Sequence, residues 1–401
     1  MSWPMVKMSA VAQINPRCPK DIDEKQLVSF VAMASASEDG YLLNEEIKAL
    51  GETKKGFTYF AKGDVLLAKI TPCFENGKCL RSNQIKNEVG FGSTEFHVLR
   101  ANPEVLDSNY LFYMVWNNAF RFLGEKSMSG AAGQKRVSTD FLKQFEIPLP
   151  PLAEQKRIAA ILDKADAIRQ KRQQAIKLAD EFLRSVFLEM FGDPVTNPKG
   201  WEVKPFGDVI DILTDYHANG SYKTLNENVT LLDEPDYAYM VRTTDLEKQS
   251  YTDGVKYIDQ HAYEHLSKSK VYGGEIIINK IGSAGAVYLM PFLNRPVSLA
   301  MNQFMIRCID GQLNEFYYYQ LKTSAGEKEI SKRVQGAVTK TITKNAVRDI
   351  PIVCPPLKEQ EKFVAIANSF SQKAILAFNN ISNTESELFN SLSQKAFSGQ
   401  L

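Results

Sequence analysis

The chain contains the same helical start twice. Pro-Pro-Leu-Ala-Glu-Gln at 150–155 begins one long helical stretch, and Pro-Pro-Leu-Lys-Glu-Gln at 355–360 begins another 205 residues later. Ile-Pro precedes both copies, and Trp3 and Trp201 open the two halves. A repeat of about 200 residues is far too long for one unit of a solenoid. It predicts a duplicated module in which a globular domain is followed by one long helix, with the copies related by a pseudo-two-fold.

The bulk composition limits the class of protein. A length of 401 residues suggests two or three domains, and 44% apolar residues are enough for folded cores. No apolar run approaches the roughly 18–20 residues that a membrane span needs, and the first residues lack the apolar core of a secretion signal. Five scattered cysteines fit reduced thiols better than a disulfide framework. We therefore expect a cytoplasmic protein.

Charge is distributed unequally between the two copies. The net charge of +1 argues weakly against a surface that binds nucleic acid everywhere. Residues 156–177, however, carry seven basic and two acidic side chains, or +5, whereas the matching stretch 361–382 carries +1. The helical starts are alike, and charge is what most clearly distinguishes the copies.

The two globular regions have the same predicted plan. The apolar run 64–70 reads as a buried strand, and 275–281 parallels it. The loop at 130–138, rich in small residues, is matched by 336–343. The chain is therefore predicted to be α+β, with two mixed α/β domains separated by a long antiparallel two-helix coiled coil.

The helices carry apolar side chains at coiled-coil spacing. In the first helix the spacing is 3-4-3-4 over four heptads, interrupted by Arg172, and Leu162 and Phe187 widen the stripe. The second helix is less regular. The seam residues predicted to pair the helices or to meet a partner are Ile158, Ile161, Ala165, Ile168, Phe182, Val186, Phe363, Ile366, Phe370, Phe378, Ile381, Leu388 and Leu392.

No catalytic constellation is visible in the sequence. A phosphate-binding Gly-x-x-x-x-Gly-Lys-Ser/Thr loop is missing, and so is the Asn/Asp-Pro-Pro-aromatic motif of amino-methyltransferases. His261 and His265 flank a glutamate in a pattern that some zinc peptidases share, but no third ligand accompanies them, so a solvated helix face is the favoured interpretation. We expect a protein that is not an enzyme and that binds no metal or cofactor.

Polar and basic residues follow the predicted strands at comparable places in both halves. Arg, Lys, Asn and Gln can read base edges, and Ser and Thr can contact bases or phosphates. For any single residue, the alternative is an exposed polar side chain that binds nothing. The candidates for DNA contact are Lys69, Thr71, Lys78, Arg81, Ser93, Thr94, Gln134, Lys135 and Arg136 in the first half, and Arg242, Thr243, Lys280, Ser283, Asn302, Gln303, Lys340 and Thr341 in the second.

The helical motifs resemble those of a known family. Residues 150–169 closely resemble the first conserved helical region of the specificity subunits of type I restriction–modification systems, and 391–401 resembles the C-terminal signature of the same family. The resemblance covers the whole chain as domain, helix, domain, helix. The globular regions match only in outline.

The resemblance implies a function for each part. Target-recognition domains at 1–149 and 201–354 would each read one half of a bipartite double-stranded DNA site. The helices at 150–191 and 355–401, with a linker at 192–200, would set the spacing and dock two methyltransferase subunits. Those partners would bind S-adenosylmethionine and methylate adenines, and restriction subunits would use ATP and Mg²⁺. The alternative is a non-catalytic scaffold that joins two ligand-binding domains through a coiled coil.

Overall fold

The computed structural model describes residues 3–19, 23–131, 133–252, 254–379, 385–398 and 400. The chain divides into two compact units. Unit 1 comprises Met1–Gln173 and Asn379–Leu401, and unit 2 comprises Gln174–Phe378. The boundary falls inside a single helix of 40 residues, so each unit contains a globular region together with parts of both long helical stretches. The domain boundaries predicted from the sequence are of another kind, because they separate globular segments from helical segments. They stay a prediction.

The helices are α1 Met8–Val11, α2 Leu50–Thr53, α3 Ser108–Trp116, α4 Asn118–Ser127, α5 Thr139–Gln144, α6 Leu152–Phe191, α7 Tyr222–Asn228, α8 Thr243–Lys248, α9 Gln260–His265, α10 Asn314–Leu321, α11 Ser324–Ser331, α12 Lys344–Arg348, α13 Leu357–Asn379 and α14 Glu385–Ser398. In the part of the chain that the structure describes, no helix is both long enough and apolar enough to cross a membrane.

The strands are β1 Met5–Lys7, β2 Ala12–Ile14, β3 Leu27–Val31, β4 Glu46–Ala49, β5 Thr58–Ala61, β6 Val65–Ala68, β7 Cys79–Arg81, β8 Val89–Gly92, β9 Phe96–Ala101, β10 Glu146–Pro148, β11 Val203–Pro205, β12 Ile210–Asp215, β13 Ala238–Val241, β14 Lys256–Ile258, β15 Lys270–Val271, β16 Ile276–Asn279, β17 Val287–Leu289, β18 Val297–Leu299, β19 Gln303–Cys308 and β20 Pro351–Val353.

The strands of the two units correspond one to one. Unit 1 has sheets of order β2-β9-β6-β7 and β4-β3-β8-β5 and a β1-β10 ladder, and unit 2 has β12-β19-β16-β17, β14-β13-β18-β15 and β11-β20. In each unit one pair is parallel, β3 with β8 and β13 with β18. The short ladders join the beginning of each half to the strand before its long helix, as in Val6 opposite Ile147. The predicted duplication is therefore present strand by strand.

The central strands are buried on both faces, which explains their unbroken apolar sequences. In β6, Val65 and Leu67 pack on the helical side with α3 and α6, whereas Leu66 and Ala68 pack between the two sheets. In β16, Ile276 and Ile278 face the helices and Ile277 faces the other sheet. Each buried valine, leucine or isoleucine of these strands contributes roughly 1.5–3 kcal/mol by leaving water.

A buried carboxylate precedes each central strand and is paired with an arginine. Arg100 donates two hydrogen bonds to Asp64, at 2.8 and 2.7 Å, and Asp64 is 2% exposed. Arg307 donates to Glu275 at 2.9 and 3.2 Å, and Glu275 is also 2% exposed. The two pairs satisfy equivalent buried charges, because an unpaired carboxylate at either place would be strongly unfavourable.

The glutamine of each repeated Pro-Pro-Leu motif is fully buried and binds the residue that caps the first helix after the sheet. The side-chain oxygen of Gln155 accepts from Asp107 N at 2.8 Å, and that of Gln360 accepts from Leu313 N at 3.1 Å. The amide nitrogens donate to Pro150 O at 2.8 Å and Pro355 O at 2.9 Å. The repeat therefore connects the start of each long helix to its own globular domain.

The long helices bury apolar side chains at four-residue spacing within each unit. In unit 1, Ile158 and Leu162 lie in one core with Ala396 of α14. In unit 2, Leu183, Phe187 and Phe191 share a core with Phe363 of α13, and the rings of Phe187 and Phe363 lie 5.3 Å apart. A spacing of four is typical of a helix packed on a broad core rather than along a narrow seam.

The predicted seam therefore differs in detail from the observed packing. Ile168 and Phe182 are each 46% exposed and Ile366 is 41% exposed, whereas Leu162 and Phe187 are buried. Ile161, Ala165, Val186, Phe370 and Leu392 are half-buried. The rings of Phe182 and Phe370 still meet at 4.8 Å, so α6 and α13 contact each other in unit 2 and run antiparallel there. Ile381 and the side chains of Phe378 and Leu388 lie outside the described residues.

Candidate nucleic-acid interface

In unit 1 the end of β6 meets a short hairpin formed by residues 129–131 and 133–136, which we call hairpin 1. Ser129 and Arg136 close it with reciprocal backbone hydrogen bonds of 3.1 and 2.9 Å. Val137 N donates to Lys69 O at 2.9 Å, and Thr71 N donates to Lys135 O at 3.0 Å. The hairpin is therefore attached by its backbone to the loop that follows the central strand.

Unit 2 repeats this arrangement at residues 335–341, which we call hairpin 2. Gln335 and Thr341 exchange two backbone hydrogen bonds of 2.8 Å. Ile342 N donates to Lys280 O at 3.0 Å, and Gly282 N donates to Lys340 O at 3.2 Å. The equivalence of the two loops, predicted from the order of their small and polar residues, is thus observed in the backbone pairing.

A glycine with positive φ turns the chain at the same place in both hairpins. Gly130 has φ +127° and Gly336 has φ +101°. A Cβ atom at Gly130 would lie 3.0 Å from Gln134 O, and one at Gly336 would lie 2.2 Å from Thr339 O. A side chain at either position would strain or displace the hairpin.

Several predicted contact residues lie exposed on or beside the hairpins. Gln134, Lys135 and Lys340 are exposed within the hairpins, and Val338 at the tip of hairpin 2 is 98% exposed. The neighbouring strand ends add Thr94 in unit 1 and Ser283 and Asn302 in unit 2, all exposed. Ser283 already donates to Glu247 at 2.5 Å and accepts from Asn279 at 2.8 Å, so the other exposed side chains are the stronger candidates for contact.

Arg81, predicted to contact DNA, is engaged within the protein, and its role as a contact residue stays a prediction. Its guanidinium lies 2.5 Å from Asp163 Oδ1 on α6 and 3.3 Å from Asn109 Oδ1, and it stacks 4.7 Å from the centre of the Phe112 ring. Only 17% of the side chain is exposed. Arg81 holds the helix against the domain.

Gln303 and Arg242, also predicted to contact DNA, have partners within the protein. Gln303 is fully buried, and its amide, oriented to satisfy both neighbours, donates to Val241 O and accepts from Thr243 N. Arg242 donates to both carboxylate oxygens of Asp245, which is itself buried. The partners of Gln303 lie far from it in the chain, so the sequence does not reveal them, whereas Asp245 is only three residues from Arg242.

Arg136 is paired but remains partly accessible. It forms two hydrogen bonds with Glu95, at 2.9 and 2.8 Å, and 42% of its side chain is exposed. These bonds hold the pKa of Glu95 below its ordinary value. The charge of Arg136 is thus largely compensated by Glu95. The main effect of Arg136 is to stabilise hairpin 1.

Beneath hairpin 2 lies a charged triad that sequence reasoning missed. Lys280 Nζ and Lys344 Nζ lie 3.1 and 2.9 Å from the two carboxylate oxygens of Asp215. Burial of Asp215 tends to raise its pKa, but the hydrogen bonds and charges of the two lysines outweigh it and lower the pKa. Lys280, predicted to contact DNA, is therefore neutralised within the protein. Lys344 follows the helix cap Thr343, and that position was the only signal available for it.

Beneath hairpin 1 the corresponding place is neutral. His97 is 4% exposed, with Nε2 2.9 Å from Val137 O and Nδ1 3.1 Å from the Asn15 amide nitrogen. The same Asn15 nitrogen lies 3.4 Å from Thr139 Oγ1. Burial lowers the pKa of His97 below its ordinary value, which favours the neutral ring. Lys69, half-buried beside it, has no ion pair among the residues described.

The remaining candidates are half-buried. Lys78 Nζ lies 3.4 Å from Met33 O, Thr71 donates to Glu75 at 2.7 Å, and Ser93 accepts from Glu95 N at 3.2 Å. Thr243 and Thr341 are also half-buried. The hydroxyl and amine groups of these five residues either have local partners or are only partly exposed. The exposed hairpin residues are therefore the stronger candidates for DNA contact.

The predicted absence of a zinc site remains a prediction. His261 is exposed and its Nε2 lies 2.9 Å from Asn228 Oδ1, whereas His265 is half-buried. No group of three or more His, Cys, Asp or Glu residues suited to a metal ion occurs in the described ranges.

The chain is similar to known proteins in sequence and in fold. The model of the type I restriction modification DNA specificity domain matches residues 2–178 and again 198–384. The chain is 43% identical over 164 residues to the type I restriction enzyme EcoEI specificity subunit of Escherichia coli, which covers 40% of this chain and 27% of that protein. It is 24% identical over 318 residues to the putative type I restriction enzyme MjaX specificity subunit of Methanocaldococcus jannaschii, covering 75% of this chain and 69% of that one.

The fold is similar to a solved structure. The crystal structure of the type I restriction–modification system S subunit from M. genitalium superposes with a TM-score of 0.53 at 14% identity, covering 99% of this chain and 96% of that one. The segment of this chain that matches the E. coli EcoEI specificity subunit spans about a quarter of the length of that protein. Since the domain model accounts for most of the chain in two successive copies, this protein belongs to the family of type I restriction–modification specificity subunits.

Proposed function

We propose that each unit reads one half of a bipartite double-stranded DNA sequence, with its hairpin and the adjoining strand ends placed against the base edges. The observation that carries this proposal is the repeated hairpin: one backbone arrangement presents Gln134 and Lys135 in unit 1 and Lys340 with Asn302 in unit 2. Amide and amine groups of these types distinguish bases in the major groove. Since the two sets differ, the halves of the recognised sequence differ too.

The long helices have a separate role in this proposal. They pair as an antiparallel coiled coil that sets the spacing of the half-sites and docks two methyltransferase subunits. α6 supports a docking role because it exposes large apolar side chains, including Leu178 at 56%, Phe182 at 46% and Leu188 at 42%. Apolar side chains grouped in this way mark interaction surfaces. The methyltransferase partners bind S-adenosylmethionine, restriction partners use ATP and Mg²⁺, and this chain supplies recognition without catalysis.

Mapping methylated adenines tests the reading role. The chain is expressed with its methyltransferase partner, and genomic methylation is compared for wild type, Gln134→Ala/Lys135→Ala and Asn302→Ala/Lys340→Ala. Each pair should relax one half of the motif and leave the other half unchanged, since a lost bidentate base contact costs about 1–3 kcal/mol of discrimination. Lys55→Ala, an exposed lysine remote in sequence from both hairpins, is the control. An unaltered motif in both double variants would refute the assignment of the hairpins.

Co-purification tests the docking role. Leu178→Asp places a charge in the exposed apolar stripe and should abolish recovery of the methyltransferase partner, while the isolated chain unfolds at an unchanged temperature. Asp180→Asn alters an exposed residue two positions away and serves as the control. Full recovery of the partner with the leucine variant would exclude this part of α6 as a docking surface.

A further inference from the structure

The first part of α6 has a lysine face that the recognition hairpins do not explain. Lys156, Lys164 and Lys171 are exposed, and none has an ion pair among the residues described. At about 100° per residue they fall within an arc of about 80°, and at 1.5 Å per residue they are spaced by about 12 and about 10 Å. Only the exposed Ala160 and Ala167 lie between them on this arc. We call these three lysines the lysine stripe.

The acidic residues of the same segment do not compensate the stripe. Asp163 binds Arg81 at 2.5 Å and Tyr113 at 2.8 Å. Asp166 is 3% exposed and binds Arg169, which also lies 2.5 Å from Asp39 Oδ1. Both carboxylates therefore face the domain and are already paired with arginines. Asp166 is buried, and 41% of the Asp163 side chain is exposed beside the lysine stripe, but both carboxylates are bound by arginines and not by the three lysines.

The second copy has no such stripe in its sequence. The residues 205 positions later are Glu361, Ser369 and Leu376, and none of them is basic. Glu361 is exposed, so the corresponding face begins with an acid where the first begins with a lysine. The stripe is consequently a property of one repeat and is not required for the shared fold.

We propose that the lysine stripe binds the phosphate backbone of duplex DNA without regard to sequence, which adds affinity on the side of unit 1. This rests on the proposed DNA-reading function and adds a second contact surface to it. Phosphate contacts orient a protein and supply salt-dependent affinity, and lysine suits them as a mobile point charge. A protein partner fits this face less well, because interface centres are enriched in aromatic side chains and arginine and depleted in lysine. The stripe offers no aromatic ring and no arginine.

A salt titration of the full chain tests the proposal. A fluorescent duplex of arbitrary sequence and a duplex carrying the recognised sequence are bound by wild type and by Lys156→Gln/Lys164→Gln/Lys171→Gln. The slope of log K against log[salt] should become shallower by roughly 0.9 for each lost phosphate contact, hence by up to about 2.7, equally for both duplexes. The ratio of the two affinities should not change. Thermal unfolding should be unaltered, since all three side chains are exposed.

Two matched variants distinguish the effect of charge in the lysine stripe from the effect of positive charge elsewhere in unit 1. Lys25→Gln/Lys55→Gln/Lys86→Gln removes three exposed lysines elsewhere in unit 1 and should leave the slope within about 0.5 of wild type. Lys156→Arg/Lys164→Arg/Lys171→Arg keeps the charges and should retain the wild-type slope. Equal loss in the two glutamine triples, or loss in the arginine triple, would overturn the proposal.

The outcomes also distinguish the stripe from the reading function. If wild type discriminates the two duplexes but the stripe triple keeps its slope, the stripe proposal is wrong and the reading function stands. If the slope falls as expected while wild type shows no preference between the duplexes, the stripe stands and the reading function fails. Loss of the methyltransferase partner from the stripe triple with an unchanged slope would identify an acidic protein surface as the true occupant and overturn the proposal.

Discussion

The two hairpins have the same backbone support but lie over opposite polar environments. Under hairpin 1, Asn15, His97 and Thr139 form a neutral chain of hydrogen bonds, and Lys69 stays without an ion pair in the described part of unit 1. Under hairpin 2, Asp215 holds Lys280 and Lys344, and both amines also lie within 6 Å of the centre of the Phe304 ring. Strand pairing places Phe304 opposite Ile278, just as His97 lies opposite Leu67.

This difference shows how one fold can present two chemistries. The hairpins are held by backbone hydrogen bonds, which are independent of side-chain identity. The side chains beneath can therefore change from neutral to charged while the hairpin remains in place. In unit 1, Lys69 beside hairpin 1 has no ion pair among the described residues. In unit 2 the equivalent Lys280 is paired with Asp215.

The largest expected effect concerns a feature that the units share. Gln155→Leu leaves Asp107 N, Val105 O and Pro150 O without their partner, and we expect a loss of about 3 kcal/mol in the free energy of unfolding of unit 1. Gln360→Leu should cost unit 2 a similar amount, measured by urea denaturation of each full-length variant. The exposed neighbours Lys156→Leu and Glu361→Leu are the controls. A loss in one unit only would show that the glutamines are not equivalent.

Removal of the charge beneath hairpin 2 should have the next largest effect. Asp215→Asn keeps the shape but leaves two lysine amines close together, and we expect about 2 kcal/mol of destabilisation after allowance for their partial exposure. Non-specific DNA binding should become tighter, because two amines are released. Asn15→Ala beneath hairpin 1 should cost about 1 kcal/mol and leave DNA affinity unchanged. Denaturant titration together with a salt series measures both quantities.

The two equivalent lysines should then differ in DNA binding. Lys69→Ala should weaken binding up to about tenfold and reduce the salt slope by about 0.9, because it removes one amine that is available to phosphate. Lys280→Ala should leave both quantities unchanged, since Asp215 already holds that amine. Lys340→Ala, which removes an exposed amine of hairpin 2, should behave like Lys69→Ala. Identical losses from Lys69→Ala and Lys280→Ala would invalidate the contrast between the two environments.

The smallest expected effect is a pH dependence confined to unit 1. Burial lowers the pKa of His97 in the folded protein below its ordinary value of 6.5, so the unfolded chain binds the proton more readily. The contribution of the neutral ring to stability is therefore complete above pH 6.5 and is lost progressively as the pH falls from there towards the folded pKa. The slope cannot exceed about 1.4 kcal/mol per pH unit for one proton.

His97→Phe copies the residue found in unit 2 and should remove this pH dependence while the fold is retained. Thermal unfolding between pH 5 and pH 8 measures it in both proteins. His261→Phe, which alters an exposed histidine, should preserve the wild-type profile. An unchanged profile in the His97 variant would assign the titration to another group.

The fold was largely predictable from local pattern. The buried strands at 64–70 and 275–281, the long helical stretches and the equivalence of the small-residue loops all follow from apolar runs, spacing and order. These signals are local, since backbone hydrogen bonding and apolar burial act over a few residues at a time. The helix face was predicted less well: Ile168 and Phe182 satisfy the coiled-coil spacing, yet Leu162 and Phe187 are the residues buried on the cores.

Which polar residues remain free could not be deduced in the same way. Lys69 and Lys280 occupy matching positions after matching strands, and nothing adjacent in the chain distinguishes them. Lys280 is neutralised by Asp215, which lies 65 residues away, and Arg81 by Asp163, which lies 82 residues away. Ion pairing depends on distances of a few ångströms between remote segments, and these distances exist only once the sheets and helices have packed. Local pattern thus establishes the repeated framework, whereas long-range packing selects the charges available to a partner.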